Sequence, residues 1–353
     1  MVCYDIMCFV IKIKDDDNAF MSENHIKQLN ATIDLPITID QPKLSIDAQI
    51  AHLSEIHGVS FDIKGVDAAK IFLTKNNYYH KIKAYSNNFS TYQRNDHPLF
   101  GKFCNLDFEY LVELSVLDMY LRRIIITMSL DIEHFLKVKL INDITCDDSE
   151  DAYSIVNQYI TACISETKRK EISEKLNNYY YNRYNQHSLN EIPAWELVEI
   201  LSFGDFITFY ELYYSFHPTR DSMVNNLKPA QWLRNAAAHN NCIINDLNVP
   251  EKSTFQINKT INTFVSKIDG ISSTTREKKL SNESIHDFVV MLYVYNKVVT
   301  SPKVKEKAMA KLKEFVDGRM VLNKHYFNKN GLLHSSYNFF KKIVDFFASD
   351  VVY

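Results

Sequence analysis

From residue 108 to residue 144 the chain runs without a glycine or a proline, and its only break-favouring residues are serine and threonine. Leu111, Leu114, Leu117, Leu121, Ile125, Met128, Ile132, Phe135 and Leu136 recur at intervals that place apolar side chains on one stripe of an α-helix. The stretch exceeds an ordinary globular helix, so a kink is expected within it. Elsewhere, seven glycines and eight prolines in 353 residues leave too little turn chemistry for a strand-rich protein. Alternating apolar runs joined by tight glycine turns are almost absent, and the expected fold class is all-α.

The same scarcity of glycine excludes familiar phosphate-cradling loops, since neither G-x-G-x-x-G nor a Walker A sequence occurs. Hydrophobic residues make up 46% of the chain, enough for a packed core. A net charge of -3 announces no bulk attraction to nucleic acid, although local stripes of Lys and Arg can still act. Six cysteines (Cys3, Cys8, Cys104, Cys146, Cys163 and Cys242) show no C-x-x-C spacing and read as reduced thiols of a cytoplasmic protein. The N-terminal stretch MVCYDIMCFVIKIKDDD carries Asp5 and lacks a basic leader, so no membrane partner is expected.

Along the chain, LSIDAQIAHLSEIHG reads as a helix beginning near Ser45 and ending at Gly58. VDAAKIFLTKNNYYHKIKAYSNNF continues the helical pattern, with Ala69, Phe72, Leu73, Tyr79, Ile82 and Tyr85 directed inward. IPAWELVEILSFGDFITFYELYYSF reads as two helical stretches hinged near Gly204, with Pro193 at the entry and Trp195 and Phe203 as core anchors. Residues 248–284 are polar, and further helices follow from Ile285, broken at Ser301 and Pro302. The expected organisation is an N-terminal arm over residues 1–43, a helical domain over 44–245, and a helical C-terminal extension over 246–353 packed on that domain.

LRNAAAHNN, beginning at Leu233, is the stretch where chemistry is most concentrated. Each helical residue advances about 100°, so Asn235 and His239 share a face while Arg234 lies off it. As a structural element this is a helix end, with His239 suited to the dipole and Asn240 and Asn241 to the stop. As chemistry it is an acid–base group beside a phosphate-holding guanidinium. Such a pair suffices for internal RNA cleavage, where the 2'-hydroxyl is itself the nucleophile and neither a metal nor a cofactor is required. On one chain the set is sparse, and a second copy could complete it.

R-N-x-x-x-H resembles the R-x4-6-H motif of HEPN-domain ribonucleases, and the chain as a whole resembles the Abi-like family of bacterial abortive-infection proteins (the AbiD/AbiF group). Gln49 and Gly58 match its opening helix, and Asn77, Tyr78, Tyr79 and Tyr85 its N-Y-Y-R-L-x-x-Y segment. Asp118, Leu121, Arg122 and Glu133 match its D-x-x-L-R helix. Pro193, Trp195, Glu199, Ser202, Phe203 and Gly204 then precede the motif in the family's order. Two departures remove positive charge: His80 and Cys242 stand where the family usually has Arg. Asn241 replaces the modifiable Tyr of a related HEPN group.

The resemblance implies a HEPN-type helical bundle and a metal-independent endoribonuclease acting as a toxin or anti-phage effector. His239 would do the acid–base work, Arg234 would hold the scissile phosphate, and Asn235 would orient His239 or complete the phosphate contacts. It further implies a homodimer, an RNA substrate and a small structured RNA antitoxin as partner. The alternative is a non-catalytic RNA-binding or regulatory HEPN module. Lys75, Tyr78, Tyr79, Lys81, Lys83, Arg122 and Arg123 mix basic and aromatic groups suited to RNA. Asp118 and Glu133 are candidate supporting polar groups. Arg122 and Glu133, eleven apart, share a helix face and form either a polar site or a structural ion-pair network.

Overall fold

A computed structural model describes residues 43–177, 188–189, 191–220, 222–249 and 255–350. The N-terminal arm expected over residues 1–43 falls outside them apart from Lys43. From Ser45 onward the chain forms one compact unit built of helices. Among the described residues the β-structure consists of isolated bridges such as Ser60 to Asp107, so the fold is all-α. No helix among them is long and apolar enough to cross a membrane.

The first helix, α1 (Ile46–Ala51), starts where the Ser45 side chain accepts a hydrogen bond from the Ala48 amide. It continues as a π-helical turn, His52–Ile56. Gly58, with φ of 70°, reverses the chain, and a Cβ there would come within 2.8 Å of the Lys102 Cβ. α2 (Gly65–Lys75) and α3 (Tyr79–Ala84) follow, separated by a break at Asn76 to Tyr78. Of the inward candidates there, Ala69, Leu73, Ile82 and Tyr85 are buried, while Phe72 and Tyr79 are half-buried.

The glycine-free stretch is one uninterrupted α-helix of 38 residues, α4 (Phe108–Thr145), capped by the Asp107 carboxylate on the Glu109 amide. At about 1.5 Å per residue it is a spine roughly 57 Å long, α-helical from end to end. The reason lies in what it touches. Leu111 and Leu114 belong to an N-terminal core with Ile50, Leu73, Ile82 and Tyr85. Leu117 and the stripe through Ile144 belong to the main core. Apolar support thus runs along the whole length of the helix. Phe135 alone of the expected stripe is only half-buried.

After α5 (Ser154–Gln158) and α6 (Glu166–Leu176), two helices lead to the motif: α7 (Ala194–Ile200) and α8 (Phe203–Phe216). The hinge between them falls at Leu201 and Ser202, just before Gly204. Ser202 caps α8 by accepting from the Asp205 amide, which fixes the boundary there. Gly204 instead admits the neighbouring helix, since a Cβ on it would sit 2.5 Å from Gln231 Nε2. Phe203 is buried as expected, but Trp195 is 48% exposed and meets the Tyr153 ring edge-on. Its place on the outer face of a short amphipathic helix, not in the core, explains the difference.

The motif helix α9 (Val224–Ala238) packs along α4 and α8. It also packs along α12 (Glu283–Val298), which is reached through α10 (Lys259–Val265) and α11 (Ser273–Leu280). α13 (Pro302–Glu314) runs on through a π-helical turn, Phe315–Arg319, and α14 (Gly331–Asp350) packs against α13 and α12. Val289, Leu292 and Ile343 from these later helices are buried in the same main core as Ile125 and Leu233.

This packing ranks substitutions. Ile125→Ala, at a fully buried position of α4, is expected to lower unfolding free energy by about 2–5 kcal/mol. Ile71→Ala, 57% exposed on α2, is expected to shift it by no more than about 0.5 kcal/mol. Urea denaturation followed by circular dichroism measures both.

Candidate functional site

The motif helix ends as its residues dictate. His239 is the C-cap residue, its amide bonded to the Asn235 carbonyl at 3.0 Å. Asn240 takes the left-handed conformation, φ 56°. The Asn240 amide donates to Ala237 O at 3.2 Å and the Asn241 amide to Ala236 O at 2.8 Å, the paired bonds of a Schellman stop. Lys81 Nζ, arriving from α3, donates to the Asn240 carbonyl at 2.5 Å and places a cation at the negative end of the helix. The stop leaves the His239 side chain exposed to solvent.

Arg234 lies one position round from the shared face of Asn235 and His239, yet its side chain turns toward that face. Arg234 Nη1 donates to Asn235 Oδ1 at 3.1 Å, and the guanidinium lies 5.9 Å from the Phe203 ring centroid. Asn235 therefore acts on Arg234. An aromatic platform from α8 and an amide from its own helix hold the guanidinium half-buried.

Beside it opens a cleft of about 1040 Å³ between α4, the start of α3 and the end of α9. Among the described residues its charged lining groups are Lys81, Arg122, Arg123 and Arg234, with no carboxylate. Ser115, Thr127, Asn76 and Asn77 add neutral polar groups, and Met119, Ile126 and Leu130 an apolar floor. Ala238 and Asn240 line the cleft on either side of His239, which itself lies outside the lining. Such an arrangement suits a polyanion whose sugars and bases can rest on apolar surface.

The segment after the motif is held by two buried polar side chains. Asp118, fully buried on α4, accepts from the Ile243 amide at 3.0 Å, the Ile244 amide at 3.2 Å and the Tyr85 hydroxyl at 2.7 Å, and pairs with Arg122. Burial pushes the Asp118 carboxyl up, while the Tyr85 hydrogen bond and the Arg122 charge pull it down. The Tyr85 phenol is driven far above its ordinary range by burial and by that carboxylate. Asn88 Nδ2 donates to the Ile244 carbonyl at 2.9 Å and the Asn245 carbonyl at 3.1 Å, and Oδ1 accepts from the Leu247 amide at 2.9 Å. Asn88 carried no spacing signal. Only its place in a polar run beside Tyr85 could have pointed to it.

The remaining candidates separate. Arg122 also reaches toward the Asn241 carbonyl at 3.4 Å, so it serves both the cleft wall and the buried pair. Glu133 pairs instead with Lys137 at 3.1 Å, further along α4. Lys75 and Tyr78 are exposed, Lys83 is half-buried, and none of them lines the cleft. Tyr79 is half-buried with its hydroxyl 2.6 Å from His52 Nδ1, away from the lining. Burial lowers the Lys81 ammonium's pKa, and the Arg122 charge adds to the effect. The neighbouring Cys242 thiol is pushed up, chiefly by burial. Among the described residues no three His, Cys, Asp or Glu side chains form a group able to hold a metal ion.

Residues 71–245 match the model of the family described as Abi-like protein. That stretch spans α3, α4, the capped helix α8 and the whole motif segment. No curated protein and no solved structure matches the chain.

Asp118→Ala is expected to destabilise the fold by about 3–5 kcal/mol, since it strands Arg122 and two buried amides. Thermal unfolding measures the loss, and hydrogen exchange should show Ile243 and Ile244 deprotected first. Unchanged protection of those amides would refute the role given to the carboxylate.

Proposed function

We propose that this chain, Abi-like over residues 71–245, is a metal-independent HEPN endoribonuclease of abortive infection, acting in the cytoplasm as a toxin against phage-infected cells. The observation that carries the reading is the cationic cleft, lined by no carboxylate among the described residues, with Arg234 in its wall and the exposed His239 at its edge. The positive charges hold the RNA backbone. His239 takes the proton of the 2'-hydroxyl, whose oxygen attacks the adjacent phosphorus. The new bond joins that oxygen to phosphorus, the bond to the 5'-oxygen breaks, and a proton is delivered to the leaving oxygen. Arg234, aimed by Asn235 and Phe203, stabilises the charge that gathers on the phosphoryl oxygens. The products are a 2',3'-cyclic phosphate and a 5'-hydroxyl. A homodimer would bring a second motif to the site, supplying the second acid–base group, and a small structured RNA would restrain it.

One observation favours a second reading. His239 stands outside the cleft lining, which suits a module that binds RNA without cutting it, unless a second copy closes on the helix end.

In this reading Arg234→Ala and His239→Ala each abolish RNA cleavage and cell toxicity while circular dichroism shows the fold retained. Wild-type cleavage persists in EDTA and leaves 2',3'-cyclic ends. Binding without any cleavage across conditions would establish the module instead, and full activity in both purified variants would remove the catalytic assignment. Arg123, exposed in the cleft wall, is expected on replacement by Ala to lower the salt slope of RNA binding by about 0.7–0.9. Sedimentation equilibrium tests the dimer.

A further inference from the structure

On the far side of α4 from the cationic cleft lies a second cavity, of about 400 Å³, walled by α4, α12 and α14. Leu117, Leu121, Phe288, Val289, Phe340 and Ile343 set its apolar character. Apolar clefts and cavities of about 300–1,000 Å³ with a few placed polar groups are the usual form of a small-molecule site.

The polar lining consists of the neutral Ser284, Asn328, Ser336 and Tyr337 and the basic Lys324 and His334. Among the described residues no carboxylate lines the cavity, whereas Lys324 and His334 do, and both are exposed, marking its mouth. Inside, Ser336 is 7% exposed and accepts a hydrogen bond from Lys279 Nζ at 2.7 Å. Its own hydroxyl proton has no acceptor among the described residues. Lys279 is not itself a lining residue but is equally buried, and its partners among the described residues are the hydroxyls of Ser336 and, at 2.9 Å, Ser335, with no carboxylate. An ammonium taken from water without a counterion is costly, and burial lowers the Lys279 pKa accordingly.

We propose that this cavity binds an aliphatic carboxylate, its tail against α4 and α12 and its carboxylate accepting from Ser336 in front of Lys279. The ligand supplies both missing elements, an acceptor for the serine proton and a counter-charge for the lysine. The site stands independently of the nuclease reading. Its wall includes Ile243, Ile244 and Leu247, the segment that Asp118 and Asn88 hold directly after His239. A ligand seated there therefore favours the arrangement of that segment to which it binds best.

The test titrates the full chain with decanoate, below its micelle concentration, and with uncharged decanol, by isothermal calorimetry. Saturable decanoate binding is expected, with decanol weaker by about tenfold, the scale of a charge-assisted hydrogen bond. Met320→Trp fills the cavity from a half-buried wall position and is expected to weaken decanoate by at least about tenfold with circular dichroism unchanged. Lys279→Met should erase the preference for decanoate over decanol. If that variant does not fold, Lys324→Ala at the mouth should weaken decanoate by about two- to fivefold. Absence of saturable binding, or binding undiminished by Met320→Trp, overturns the site. Equal affinity for decanol and decanoate in the unaltered chain overturns the carboxylate.

Discussion

A single buried carboxylate organises the functional half of this molecule. Asp118 sits on α4 at the point where the spine passes from the N-terminal core, ending at Leu114, to the main core, beginning at Leu117. There it gathers a hydroxyl from Tyr85, a guanidinium from Arg122 and two amides from the segment beyond the motif. A carboxylate out of water must find donors, and these donors come from three separated parts of the chain. Meeting its demand therefore fixes where the motif helix ends relative to α4. Asn88 repeats the device with an amide in place of a charge.

The ordinary account of LRNAAAHNN as a capped helix end and the chemical account of it are the same structure. The Schellman stop needs Asn240 in the left-handed region, and that turn leaves His239 exposed at the last helical position. Lys81 satisfies a terminal carbonyl and at the same time lines the cleft. Arg122 neutralises Asp118 yet faces the cleft as well. The same cations thus tie the local structure together and supply the positive charge of the cleft, which is why their removal would perturb both.

α4 also separates two unlike spaces. One is cationic and broad; the other is apolar and smaller, with Lys279 bonded to its Ser336 and paired with no carboxylate among the described residues. They share α4 and are joined through residues 241–247, which leave the motif helix at one space and enter the wall of the other. Movement in that segment is the physical route by which occupancy of one could be felt at the other.

Sequence alone determined the helical class, the stripe on α4, the cap at Ser45 and the stop at Asn240, because each depends on residues close together in the chain. It also marked Arg234, His239 and Asp118 through an ordered resemblance. It misjudged what depends on packing: Trp195, read as a core anchor, lies exposed on the outer face of a short helix. Only the tertiary structure decided which of the basic residues share a cleft. Lys81, Arg122, Arg123 and Arg234 converge because buried partners at Asp118 and Asn88 draw α3, α4 and the motif segment together, whereas Lys75 and Glu133 point to other surroundings. Periodicity places a side chain on a face, but which face meets which is settled by the distant groups that burial obliges to pair.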